Sequence, residues 1–132
     1  MIGRSLLVGF VAVMLFACDS SPNFLSQVSE MKAELQALNE KLPEPPIESM
    51  TVFAKSGSPR VDFSYKPSCR EAFVQRIREV AMESGYTPSV ERVDPAVVLT
   101  MCSLRARHRS LHVAQGRDGI VSVAISMSEP LC

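Results

Sequence analysis

The run Leu42-Pro43-Glu44-Pro45-Pro46-Ile47 limits what this chain can fold into more than any other feature. Proline removes a backbone donor and clashes with the preceding turn, so neither a helix nor a central strand passes through such a run. A proline-rich stretch is extended and semi-rigid. It predicts a linker over residues 43–49 and a boundary between a short local element and a core built from residues 50–132. The 132 residues of the chain allow one domain.

Before the boundary, Val28, Met31, Leu35, Leu38 and Leu42 recur in alternating steps of three and four, the a/d spacing of a coiled-coil seam, and Phe24 extends the stripe backward. Good helix formers fill the gaps. The spacing predicts an amphipathic, coiled-coil-like helix over 24–42, preceded by turn residues Ser20-Ser21-Pro22-Asn23. An isolated helix this short is marginal in water, so the stripe must be covered by a second copy, a partner or the chain's own domain. A homo-oligomer through 24–42 is one expectation. A spacer that sets the distance of the head from an anchor is another.

After the boundary, Thr51–Lys55 and Val61–Lys66 read as strands joined through Ser56-Gly57-Ser58-Pro59, with Val61, Phe63 and Tyr65 alternating against polar residues. Ser68 followed by Glu71 suggests a capping box, and Phe73, Ile77, Val80 and Ala81 form the apolar face of the helix behind it. Gly85 is a left-handed stop, and Tyr86 is placed to fold back on the last turn. Val97 to Cys102 reads as a buried strand by its β-branched content, although Asp94-Pro95 is also a good helix entry. Strand is preferred because Gly116-Arg117-Asp118-Gly119 is a hairpin turn and Ile120, Val121, Val123 and Ile125 form a strand needing a partner. A strand over 104–115 supplies it. The fold class is α+β, an antiparallel sheet with one helix packed on one face.

At the start of the chain stand one positive charge, Arg4, then the apolar run Leu6–Phe16, then a small residue. The run is too short to cross a bilayer comfortably, which takes ~20 apolar residues, and has the order of an export signal. Leu15-Phe16-Ala17-Cys18 resembles the lipobox of bacterial lipoproteins. The resemblance implies a signal peptide over 1–17, cleavage before Cys18, and acylation of that cysteine with diacylglycerol and palmitate-type chains. Residues 18–23 are then the lipid attachment and tether. Each buried methylene contributes ~0.8 kcal/mol, so several chains anchor firmly where one does not. Asp19 resembles the inner-membrane retention signal of enteric lipoproteins. The expected place is the cell envelope, facing the periplasm.

Charge excludes one class of partner. Lys+Arg and Asp+Glu each number 14, and residues 18–48 are acidic while the rest carries a mild basic excess. Nucleic-acid binders show a strong basic stripe, so no nucleic acid is expected.

Chemistry is sparse. With Cys18 lipidated, Cys69, Cys102 and Cys132 remain, and an exported protein is expected to form one disulfide among them. The three pairings stay open, with a bridge that includes terminal Cys132 favoured. Cys69, in the first turn of a helix beside Arg70, has the setting of a reactive thiol, but a half-cystine role is favoured. Arg105, Arg107 and Arg109 alternate and in a strand share one face, which suits an acidic partner or phosphate-bearing headgroups, or else a solvated edge. His108 and His112 in a strand lie ~13 Å apart, too far for one metal. No nucleophile elbow, P-loop or zinc-protease motif occurs, and neither cofactor nor metal is expected.

Glu83-Ser84-Gly85-Tyr86, then Asp94-Pro95-Ala96-Val97-Val98-Leu99 and an Arg-rich hairpin ending Gly119-Ile120-Val121 resemble the small α+β envelope-assembly lipoproteins, such as the lipopolysaccharide-assembly lipoprotein. The resemblance spans residues 70–127 and implies a non-enzymatic accessory or assembly module that binds another envelope component. The alternatives are a thiol-dependent redox or hydrolytic enzyme using Cys69, and an oligomerising spacer.

Overall fold

The computed structural model describes residues 21–53, 59–89 and 96–127. The expected signal peptide over 1–17, Cys18, Asp19, the turn residues Ser56, Gly57 and Ser58, the pair Asp94-Pro95 and Cys132 lie outside them. The described elements are α1 (Ser21–Glu40), β1 (Thr51–Phe53), β2 (Arg60–Tyr65), α2 (Arg70–Glu83), β3 (Tyr86–Pro88), β4 (Val97–Ser103), β5 (Arg109–Gln115) and β6 (Val121–Met127). The six strands form one antiparallel sheet in the order β1-β2-β6-β5-β4-β3. The fold is α+β.

Alternation along the strands divides the sheet into two unlike faces. Val61, Phe63 and Tyr65 of β2 pair across to Ile125, Val123 and Val121 of β6. Leu111 and Val113 of β5 and Met101 of β4 continue that apolar face, and all nine are buried. Both helices cover it. Met31, Leu35 and Leu38 of α1 join Phe73, Ile77, Val80 and Ala81 of α2 in one cluster with the sheet, and the Tyr65 and Phe73 rings lie 5.0 Å apart between centroids. The reverse face carries small and polar residues: Asp62 and Ser64, Ser122 and Ser126, Ser110 and His112.

Several expectations need correcting. Two helices pack on the sheet, not one. The seam at Val28, Met31, Leu35 and Leu38 is buried within the same chain, so α1 is part of the head and not a free-standing spacer or a seam open to a second copy. α1 also begins inside the expected turn, because proline is tolerated in the first helical turn, where its missing N–H has no acceptor to lose. The proline-rich run over 43–49 is bonded to the rest of the fold as well. The Ile47 N–H donates to the Ser64 carbonyl at 2.8 Å, and the Glu44 carboxylate accepts from the Ser68 N–H at 3.1 Å.

That last contact also explains why the expected capping box does not form. With Ser68 turned toward Glu44, Cys69 becomes the N-cap, extended at φ −127° and ψ 102°, and makes no side-chain cap bond. At the other end of α2, Ser84 returns its hydroxyl to the Val80 carbonyl at 2.9 Å. Gly85 then takes φ +95°, a left-handed value that glycine adopts without a Cβ penalty. Tyr86 opens a short edge strand, β3, that the sequence reading did not contain.

Between β4 and β5 the chain turns over 104–108, where the expected strand over 104–115 would already have begun. The Ser103 hydroxyl accepts from the Arg105 and Ala106 N–H groups at 3.2 and 3.1 Å, closing a turn over 104–108 that ends with His108 at φ +58°. The strand resumes at Arg109.

Candidate functional site

The turn separates the three arginines that alternation had placed on one face. Arg107 is exposed on the turn. Arg105 is exposed too, and its side chain lies over Gly85, where a Cβ would stand 2.9 Å from the Arg105 Nε. Arg109 goes the other way. It shares the parity of Leu111 and Val113 on the helix-covered face, and its side chain is only 2% exposed.

A buried guanidinium needs compensation, because moving an unpaired charge out of water costs several kcal/mol. α1 supplies it. Arg109 Nη1 donates to the Glu34 carboxylate at 3.1 Å, and Nη2 donates to Glu30 at 3.0 Å and to the Gln27 side-chain carbonyl. Arg109 Nε is buried with no partner. Gln27, Glu30 and Glu34 recur at steps of three and four along the flank of the apolar stripe, which brings all three to one spot. The same Glu34 accepts from the Tyr86 hydroxyl at 3.2 Å. Burial, reinforced by the facing carboxylate, pushes the Tyr86 phenol far above its ordinary value, so it remains a donor. Farther along, the Tyr65 hydroxyl donates to Asn39 at 2.7 Å. Polar bonds thus fasten α1 to the sheet at both halves of the helix.

Beside this clamp, α1, the end of α2 and the β4–β5 turn enclose a cleft of about 290 Å³. Glu34 and Lys41 of the α1 side, Glu83 and Tyr86 of the α2–β3 side, and Arg105 of the turn supply its polar lining, with Leu38 and Ile125 beneath. Lys41 facing Glu83 and the partly exposed Glu34 carboxylate across an apolar floor can grip a mixed-charge group, such as a peptide segment carrying both signs.

The other residues singled out lie apart from this cleft or outside the described residues. Cys69 is a free, exposed thiol at the start of α2, which corrects its favoured reading as a half-cystine. Cys102 is half-buried on β4 and is disulfide-bonded. His108 is exposed on the turn, and His112 lies on the reverse face of β5. His112 Nε2 is 2.9 Å from the Ser110 hydroxyl and Nδ1 is 3.5 Å from that of Thr100. Burial holds the imidazole below its ordinary value. On the same face Asp62 lies 3.3 Å from Arg60, with burial raising its carboxyl and the neighbouring arginine opposing that shift.

Sequence reasoning missed the clamp. A faint signal existed: Glu30 and Glu34 border Met31 and Leu35, and acids hugging an apolar stripe suit a cation that enters beneath the helix. No family model, curated protein or solved structure matches the chain.

Proposed function

We propose that this chain is an exported envelope lipoprotein, held on a membrane through acylated Cys18, and that its head is a non-enzymatic accessory module gripping another envelope protein in the cleft between α1 and α2. The observation that carries this reading is the fastening of α1. Helix α1 begins three residues after Cys18 and is tied to the sheet by Arg109, so an anchor at Cys18 would hold the whole head, and its cleft, at a short and defined distance from the bilayer. The periplasm is the compartment, with the inner membrane favoured by Asp19.

In-cell photocrosslinking from Ala37, on the cleft wall, tests the partner. A discrete envelope protein, captured by the wild type and lost in Lys41→Glu, is the expected result. Capture that persists equally in Lys41→Glu and Glu83→Lys would remove the cleft from the reading. The thiol-enzyme alternative rests on Cys69 alone and predicts that Cys69→Ser is a null allele, whereas the accessory reading predicts full function.

A further inference from the structure

We infer that the β4–β5 turn is a second membrane contact, docking Leu104, Arg105 and Arg107 on an anionic phospholipid surface; this rests on the anchored-lipoprotein reading above. The argument begins with exposure. Leu104 is 73% exposed, the highest value among the large exposed apolar side chains of the described residues. It is not on a loose tip: its N–H donates to the Gly85 carbonyl at 2.8 Å, and the Ser103 hydroxyl ties the next two N–H groups. The fold therefore holds an apolar side chain out in water at a fixed place, next to two exposed arginines. An apolar residue flanked by cations is the chemistry that suits a bilayer surface with acidic headgroups.

Position selects the bilayer over other acidic partners. Arg109 is the first residue after the turn, and its guanidinium bonds Gln27 and Glu30. The N-terminal half of α1 and the turn therefore lie at one end of the sheet. From Gln27 back to Ser21 is six helical residues, roughly 9 Å, and Cys18 is three further residues away, roughly 10 Å of extended chain at most. A lipid on Cys18 thus brings this end of the molecule to the membrane. Leu25, also exposed, belongs to the same stretch of α1. The acyl anchor holds the molecule on the surface, and the turn, a weaker contact that the anchor concentrates there, orients the head.

The chain contains no tryptophan, so Leu104→Trp gives a single reporter at an exposed position. The lipidated protein is placed in vesicles of phosphatidylcholine alone and in vesicles with about one-third phosphatidylglycerol, each with or without brominated lipid. Intact mass reads acylation of Cys18 first and independently, so loss of the anchor and loss of the docking turn are told apart. The expected result is blue-shifted, bromolipid-quenched indole emission from Leu104→Trp in the anionic vesicles and little change in the neutral ones. Arg105→Glu/Arg107→Glu should weaken the docking equilibrium by more than about thirtyfold, since each arginine near an anionic surface accounts for roughly fivefold. Arg107→Glu alone, on an exposed side chain, guards against a folding defect. An indole that stays solvent-exposed in acylated Leu104→Trp protein overturns the inference. So does equal quenching in neutral vesicles unmoved by charge reversal. A photocrosslinker at position 104 that captures protein and not lipid would likewise overturn it and assign the turn to a protein partner.

Discussion

Glu34→Ala asks whether α1 belongs to the head energetically as well as geometrically. Removing one partner of a buried ion pair typically costs about 3–5 kcal/mol, mostly from the charge left behind. Here Arg109 would keep Glu30 and Gln27, and the Glu34 side chain retains 29% exposure, which together lower the figure to about 2–3 kcal/mol. Glu30 is different. Its side chain is 57% exposed, so once truncated it forfeits a contact already shared with water, and Glu30→Ala should cost only about 0.5–1 kcal/mol. Urea unfolding of residues 19–132 reads both losses. A domain of this size with an ordinary stability of about 5–15 kcal/mol would remain folded but melt roughly 10–20 °C lower for Glu34→Ala. Arg109→Met, which keeps the volume and discards the charge, completes a double-mutant cycle. The coupling between positions 34 and 109 should be about 1.5–2.5 kcal/mol. Equal losses for Glu30→Ala and Glu34→Ala, or additivity within about 0.5 kcal/mol, would refute the clamp as the fastening of α1.

Gly85→Ala forces a Cβ into a left-handed backbone and against Arg105, and should lower stability by about 1–2 kcal/mol, with part of the loss recovered when Arg105→Ala is added. Denaturation of the single and double variants checks this, and no recovery would mean that backbone strain alone is responsible. Because burial lowers the His112 pKa, the unfolded chain takes up that proton more readily than the native one. Stability should therefore fall as pH drops below about 6.5, the unfolded value, and be level with respect to this group above it. His112→Gln should flatten the slope in that window, and an unchanged slope would assign it elsewhere. With Cys69 free and Cys102 engaged, non-reduced digestion should yield a linked Cys102–Cys132 peptide and a single alkylated thiol at Cys69. Recovery of Cys69 in a crosslink would contradict this pairing.

The parts legible in the sequence were those where one residue's neighbours along the chain decide its state. The alternation at Val61, Phe63 and Tyr65 gave a half-buried strand, and the stripe at Phe73, Ile77, Val80 and Ala81 gave a helix with one buried face. The glycine turn at 116–119 gave the β5–β6 hairpin, whose register pairs Gln115 with Val121. Each rests on local periodicity or on backbone freedom, which few residue types share.

What failed involved partners far away in sequence. Ser68 and Glu71 have the spacing of a capping box, yet Glu44, twenty-four positions earlier, takes the Ser68 N–H. Alternation put Arg105, Arg107 and Arg109 on one surface, but the turn closed by the Ser103 hydroxyl leaves Arg105 and Arg107 exposed and sends Arg109 beneath α1. The decisive residue is Arg109, 75 positions from Glu34. By itself it reads as a solvated charge. Sequence determined that α1 must bury its apolar stripe, because a short amphipathic helix cannot stand alone in water. Only the tertiary structure decided where. The same sheet face that needed covering carried, at its end, a cation whose desolvation two α1 carboxylates offset, and that pairing exists only once the helix lies across the strands.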